Sequence, residues 1–361
     1  MAQEARQARL RRGAAHPSLA PNQCARFATP LIPGVHRRRS PLTCAFHAEQ
    51  PIRQRTRCES PVSPVEGMNV MRIGVAPHRL WPLNGDDLEG VLETAVLAER
   101  LRFNHVIAGC HLLRTSLGVT PDPIVLLSAV AGATSRIRIA TSVMITTLYH
   151  PVVLAHQAAT LDLLSGGRFV FGVGTGWNRA EFDAVGAEFR RRGKCADESL
   201  AMVKALWRDE VPGMRLGVAP RTPGGPAVWV GGQSDAALRR VLRFGDAWHG
   251  QGDALAVAGI RRRLASLASR PGRDPATVEL TSVAFLVPPG FRQLQELPGK
   301  PLGGVRPSVG SIKHELGLLE EAGVSACSLW LPVMPDALPN ALAWTAEHLT
   351  DGRCAGSGEA A

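Results

Sequence analysis

From position 71 onward, short runs of β-branched and apolar residues alternate with longer segments whose apolar positions recur every three to four residues. The short runs fall at 72–76, 104–109, 137–145, 169–173, 227–230, 246–249, 278–287 and 326–331 and read as strands. Between them the helical period is clear. Leu88, Val91, Leu92, Ala95 and Val96 share one face of a helix that Asp86 and Glu89 begin as a capping box and that runs to about 101. Ile124, Leu127 and Val130 follow Pro121 at the same period, and Pro151 sits where the first turn of a helix tolerates proline. Gly186 and Gly193 split the next helical stretch and leave its main body at 197–207. Ser234 caps a helix bearing Leu238, Val241 and Leu242 that stops at Gly245, and two more are expected around 312–322 and 337–349. Eight strands each followed by a helix predict a closed (β/α)8 barrel, with a doubly wound open sheet as the alternative; in a barrel the site lies at the C-terminal ends of the strands.

Composition changes this picture only at the ends. The formal charge of +10 suggests a nucleic-acid binder until it is divided: residues 1–70 hold 11 Lys and Arg against 4 Asp and Glu, a net of +7, and the remaining 291 carry only +3. The body is too close to neutral for a surface that tracks phosphates. The first 70 residues are rich in Arg, Pro and Ser, lack periodicity, and read as a disordered leader, or as sequence upstream of a start at Met68 or Met71. They hold no apolar run of a secretory signal, and residues 351–361 read as a disordered tail. Seven scattered cysteines contain no C-x-x-C pair, so neither a disulfide framework nor a zinc site is expected. No apolar run reaches about 18 residues, and a cytoplasmic protein without membrane or nucleic-acid partners is expected.

The candidate chemistry concentrates in 164–178, LSGGRFVFGVGTGWN. A strand enters from Gly166-Gly167 and leaves through Gly172, Gly174 and Gly176 into a helix, a geometry that lets backbone N–H groups approach an anion. A dinucleotide fingerprint fails because Trp177 stands where a third glycine belongs, and no Gly-Lys-Ser/Thr follows for a P-loop. A tight turn without a ligand remains the plain alternative. A second glycine turn, Gly231-Gly232-Gln233-Ser234, also offers free N–H groups and a hydroxyl at a helix start, a ready phosphate site. His111, just past the second strand, is the one titratable candidate for moving a proton, with an ordinary structural histidine as its rival.

The segment 151–207, with its His-Pro, Ala-Thr-Leu-Asp-Leu-Leu-Ser-Gly-Gly-Arg, Gly-Val-Gly-Thr-Gly-Trp-Asn and later Leu-Trp, resembles the bacterial luciferase-like superfamily, and within it the branch of oxidoreductases that use the deazaflavin F420. The likeness runs from 71 to about 349 and decides for the barrel. It implies that His111 donates a proton or lies against the flavin ring. Where relatives read Asp-His-Leu this chain reads Cys110-His111-Leu112, so the carboxylate that would hold the imidazole is missing and Cys110 is expected as a small buried hydrophobe at the cofactor's edge. The resemblance further implies a non-prolyl cis peptide at Ser142-Val143 behind the ring, and Thr175, Gly176, Trp177 and Asn178 along the cofactor. Gly231, Gly232 and Ser234 would take its phosphate, with Trp248 in the site wall. His249 receives no role, and Glu181 reads as a helix-capping or solvated residue. In the sugar-phosphate dehydrogenases of this superfamily a glutamate base stands where this chain has Trp177, which argues against that activity. Only 19 residues separate Trp207 from Ala227, where relatives carry a longer segment over the pocket, so a more open site is expected.

The function so implied is an F420-dependent oxidoreductase that exchanges hydride with a small organic substrate. The alternatives are a reduced-FMN monooxygenase and, in another class, a vestigial flavin-binding barrel without turnover. A flavin or F420 reductase as electron supplier and a homodimer follow from the same likeness, whereas no metal is implied. The substrate is not legible, because loops form the pocket walls.

Overall fold

The computed structural model describes residues 71–350 apart from 79–87, 89, 116–117, 269–271, 295 and 298. The basic leader, the tail, and the Asp86/Glu89 capping box lie outside the described residues.

Among the described residues nine parallel strands form one sheet: β1 (Arg72–Val75), β2 (His105–Ala108), β3 (Arg138–Thr141), β4 (Met144–Ile145), β5 (Phe169–Gly174), β6 (Ala227–Gly231), β7 (Ala247–Gly250), β8 (Glu279–Phe285) and β9 (Val324–Trp330). They pair in the order β3-β2-β1-β9-β8-β7-β6-β5-β4, and β3 also pairs with β5 through Ile139 and Phe169, which closes the ring. The stretch 137–145 that reads as one strand is therefore two: β4 follows β3 after a cis Ser142-Val143 peptide and rests on the end of β5. Eight strands and one short extension make a closed (β/α)8 barrel.

The helices are α1 (Val91–Arg100), α2 (Pro123–Ala133), α3 (Pro151–Leu164), α4 (Arg179–Val185), α5 (Arg192–Trp207), α6 (Asp235–Phe244), α7 (Ala254–Leu267), α8 (Val309–Glu321) and α9 (Leu338–Leu349). Pro151 opens α3, and the Ser234 hydroxyl accepts the Ala237 N–H at the start of α6, as their positions predict. Gly186, at φ +71°, ends α4. Gly193 does not interrupt α5, which starts one residue before it; its carbonyl instead accepts from Arg240.

Strand alternation sorts residues into two cores. Ile107, Ala140, Val170, Trp229, Ala247, Val283, Phe285 and Trp330 fill the barrel, while Val106, Ile139, Phe171, Val230 and Trp248 pack outward against the helices. The arginine of the glycine-rich stretch is structural: the Arg168 guanidinium donates to Ser165 O, Ile137 O, Ala131 O, Thr134 O and Thr134 Oγ1, tying the end of α2 to the entries of β3 and β5.

The segment 208–226 is not beside the pocket. The Asp162 carboxylate near the end of α3 accepts from Thr222 N and Oγ1 at 2.7 and 3.1 Å, and Thr222 and Arg221 flank Gly167 at the entry to β5. A connection from α5 to the start of β6 runs at the N-terminal end of the strands. The expectation that its shortness opens the site is not met in that form: none of 208–226 lines the cavity, and Arg221 and Thr222 lie by the entry to β5, at the opposite end of the strands.

Candidate active site

A cavity of about 440 Å³ opens at the C-terminal end of the strands. Of the residues singled out in the sequence, Cys110, His111, Ser142, Val143, Thr175, Gly176, Trp177, Gly231 and Gly232 line it. Asn178, Ser234 and Trp248 do not. Asn178 caps α4 by accepting the Ala180 N–H, and Ser234 is spent on capping α6. Trp248 points the other way because its neighbour His249 points in; fully buried among the helices, it donates Nε1–H to Gly232 O at 2.8 Å and supports the Gly231-Gly232 turn from outside.

The three glycines at the end of β5 serve three different needs. A Cβ on Gly172 would lie 1.8 Å from Thr141 O, so this position lets β3 and β5 come together rather than admitting a ligand. A Cβ on Gly174 would meet Val143 Cγ2 at 2.6 Å at the cavity wall. Gly176 adopts φ +75° and abuts Ile145 and Phe182. Gly231 likewise faces Val143, so glycines flank that side chain on both sides.

His111 sits on the rim with Trp177 edge-on at 5.3 Å between ring centroids. Trp177 is 60% exposed and so is no core aromatic. The carboxylate missing from position 110 comes from another element. Glu181, in the first turn of α4, is fully buried, and both its oxygens lie 3.1 Å from His111 Nδ1. Its Oε1 also accepts the Leu112 N–H at 2.7 Å and the Leu113 N–H at 3.3 Å. This corrects the solvated or capping role read from sequence. With the carboxylate accepting, the Nδ1 position carries the hydrogen and Nε2 is left for the cavity. Asn178 holds the turn that aims Glu181, since Asn178 O accepts the Glu181 N–H at 3.1 Å. The only trace in the sequence is an acid three residues after a capping residue, the pattern of a local capping box.

Cys110 is buried, with its Sγ 3.8 Å from the hydroxyl of Tyr149, which donates to Asp122 at 3.3 Å. Burial pushes the thiol up to about 11, so it is inert as a nucleophile near neutral pH.

Two histidines inside the barrel were not assigned from sequence. His249 Nε2 lies 2.9 Å from Ser142 Oγ and Nδ1 2.8 Å from Thr281 Oγ1, while the ring stacks on Trp229 at 5.0 Å. Burial holds it down to about 4, so it is neutral. Deeper, His105 contacts Ser328 Oγ at 2.8 Å, and burial together with nearby Arg138 holds it well below the usual histidine range. His78, Gln251, Val283, Phe285 and Trp330 also face the cavity. Alternation along Ala247-Trp248-His249 and Val283-Ala284-Phe285 is the signal that could have found the inward members.

A model of the luciferase-like monooxygenase family matches residues 70–288. An F420-dependent glucose-6-phosphate dehydrogenase of Beutenbergia cavernae is 32% identical over 206 residues, 53% of this chain and 61% of that protein. An uncharacterized protein of Mycobacterium tuberculosis is 29% identical over 187 residues, 48% of this chain and 64% of its own length. Each match spans less than two thirds of the curated relative. Among solved structures, the monooxygenase RslO1 of Streptomyces bottropensis superposes with a TM-score of 0.64 at 19% identity, covering 78% of this chain and 99% of that one. An F420-dependent secondary alcohol dehydrogenase in complex with an F420-acetone adduct gives 0.63 at 16% identity, covering 78% and 98%. The closed barrel with its cavity at the strand ends and the match over most of the described residues lead to one conclusion: the chain belongs to the luciferase-like monooxygenase family.

Proposed function

We propose that the protein is an F420-dependent oxidoreductase that exchanges hydride between the deazaflavin and a small organic substrate such as an enone, imine or alcohol, with His111 moving the accompanying proton. The observation that carries this reading is the buried Glu181-His111 pair on the rim of the cavity. A carboxylate on Nδ1 fixes the ring's orientation and tautomer, and the free Nε2 is the atom at which a proton is taken or given.

The cavity fits such a cofactor on its own terms. A Cβ at Gly174 would fill space against Val143, and Gly231 keeps the other side of that side chain equally low. Val143, between Gly174 and Gly231, would form the wall behind the ring, with Ser142, Cys110, Thr175, Gly176 and Trp177 along its edge. Gly231 and Gly232 offer backbone N–H groups to a phosphate, while Asn178, Ser234 and Trp248 serve this site from behind by holding α4, α6 and the glycine turn. When bound, the deazaflavin supplies the ring carbon that gives or accepts hydride; the protein supplies position, exclusion of water and the proton.

Trp177 stands where a sugar-phosphate dehydrogenase would need its glutamate base, which disfavours a sugar phosphate as substrate; among the described residues none of those lining the cavity is Lys or Arg. Relatives and fold neighbours named for F420 support the cofactor. The family's monooxygenases keep reduced FMN as the second reading, with a separate reductase supplying electrons. Oxygen uptake with reduced FMN distinguishes the two. The vestigial reading draws on Cys110 and on the short 208–226 segment; the Glu181 carboxylate on His111 and the absence of 208–226 from the cavity lining both favour a working site instead. The test is turnover: hydride transfer from reduced F420 to a panel of enones, imines and ketones supports the proposal. Turnover only with FMN and oxygen replaces it.

A further inference from the structure

Among the described residues, Ser142 is the one hydroxyl-bearing residue of the cavity wall whose hydroxyl is bound from behind by a buried ring. Each hydrogen in that arrangement can be placed. The Thr281 hydroxyl donates to Trp248 O at 2.9 Å, and a carbonyl only accepts, so the single hydroxyl hydrogen of Thr281 is spent there. Thr281 Oγ1 must then accept from His249 Nδ1 at 2.8 Å. The neutral ring so protonated has a bare Nε2, which can only accept, and Ser142 Oγ–H is the donor at 2.9 Å. Burial keeps His249 neutral, down to about 4, and stacking on Trp229 holds the ring in place.

We propose that Thr281 and His249 act as positioning residues that turn the Ser142 hydroxyl into a pure hydrogen-bond acceptor toward the cavity, so that the site favours the reduced, N–H-richer form of a bound deazaflavin over the oxidised form. The inference rests on the reading that the cavity holds such a ring. Two-electron reduction of a deazaflavin places hydride on its ring carbon C5 and a proton on N1, which adds one N–H donor. An acceptor-only wall rewards that added donor, whereas a hydroxyl free to rotate would serve acceptors on the oxidised ring as well.

The test measures binding of F420 and FMN, each oxidised and reduced, by fluorescence or absorbance titration of the full chain and of its Ser142→Ala and His249→Phe variants. The Phe ring keeps the stack on Trp229 and removes the acceptor. The wild type should bind the reduced form more tightly, and both variants should narrow the reduced-to-oxidised affinity ratio by about tenfold. A ratio unchanged in both variants overturns the inference and leaves the cofactor reading standing; no binding of either cofactor in either state overturns both. A second measurement needs no ligand and no variant fold: 15N NMR of the wild-type histidines at neutral pH should show His249 protonated at Nδ1, and an Nε2-protonated ring would overturn the inference directly.

Discussion

At the scale of single residues, the site depends on where two histidines keep their hydrogens. Glu181 gives His111 Nδ1 a carboxylate while accepting two backbone N–H groups of the 111–113 loop. Glu181→Gln offers one acceptor oxygen where two are used and adds a donor, so Nδ1 loses its partner or the tautomer reverses. The proposed reaction should then slow on the order of 10²-fold in kcat, with cofactor affinity within about threefold of wild type; unchanged kcat would remove His111 from proton transfer. His249 gives a pH prediction. Its folded value of about 4 lies below the ordinary 6.5, so the unfolded chain binds more protons in that interval. This contribution is fully present above about pH 6.5 and is lost as pH falls toward about 4. Between pH 7 and 5 it amounts to about 2 kcal/mol. Denaturant unfolding at the two values should therefore show a smaller loss for His249→Phe than for wild type. Equal losses would mean that His249 is not held neutral by the fold.

At the scale of elements, two glycines on β5 with one residue between them, Gly172 and Gly174, separate packing from binding. Gly172→Ala drives a Cβ into the backbone of β3, 1.8 Å from Thr141 O, where neither strand can yield without breaking the pairing. A stability loss of roughly 3 kcal/mol is expected. Gly174→Ala meets the Val143 side chain at 2.6 Å rather than a backbone carbonyl, so it should cost less stability than Gly172→Ala while reducing cofactor affinity about tenfold. Unfolding curves and titrations of both variants read the contrast; equal effects on stability would contradict it. The glycine pattern itself was legible in the sequence, but its division of labour was not, because Gly172 is explained by a carbonyl on a strand 31 residues earlier. The strand ends and the caps at Pro151 and Ser234 were also legible, since each depends on local chemistry. The resemblance puts Trp248 in the site wall, but it packs outside the barrel, and alternation along its strand puts His249 inside.

At the scale of the whole molecule, eight strand-and-helix units specify the ring, and the ring brings together residues that no local pattern connects. Glu181 reaches His111 across 70 positions and His249 reaches Ser142 across 107. Such pairs exist only after β2, β3, β5 and β7 have found their places in the closed sheet, which is why the sequence disclosed the candidates but not their partners. The same closure sends 208–226 to the N-terminal end and leaves the cavity to the strand-end loops. The measurement closest to the central claim is titration of the full-length protein with F420 and with FMN, oxidised and reduced, followed by fluorescence quenching. Saturable binding of F420 with much weaker binding of FMN is the predicted result. Preference for FMN, or no binding of either, would contradict it.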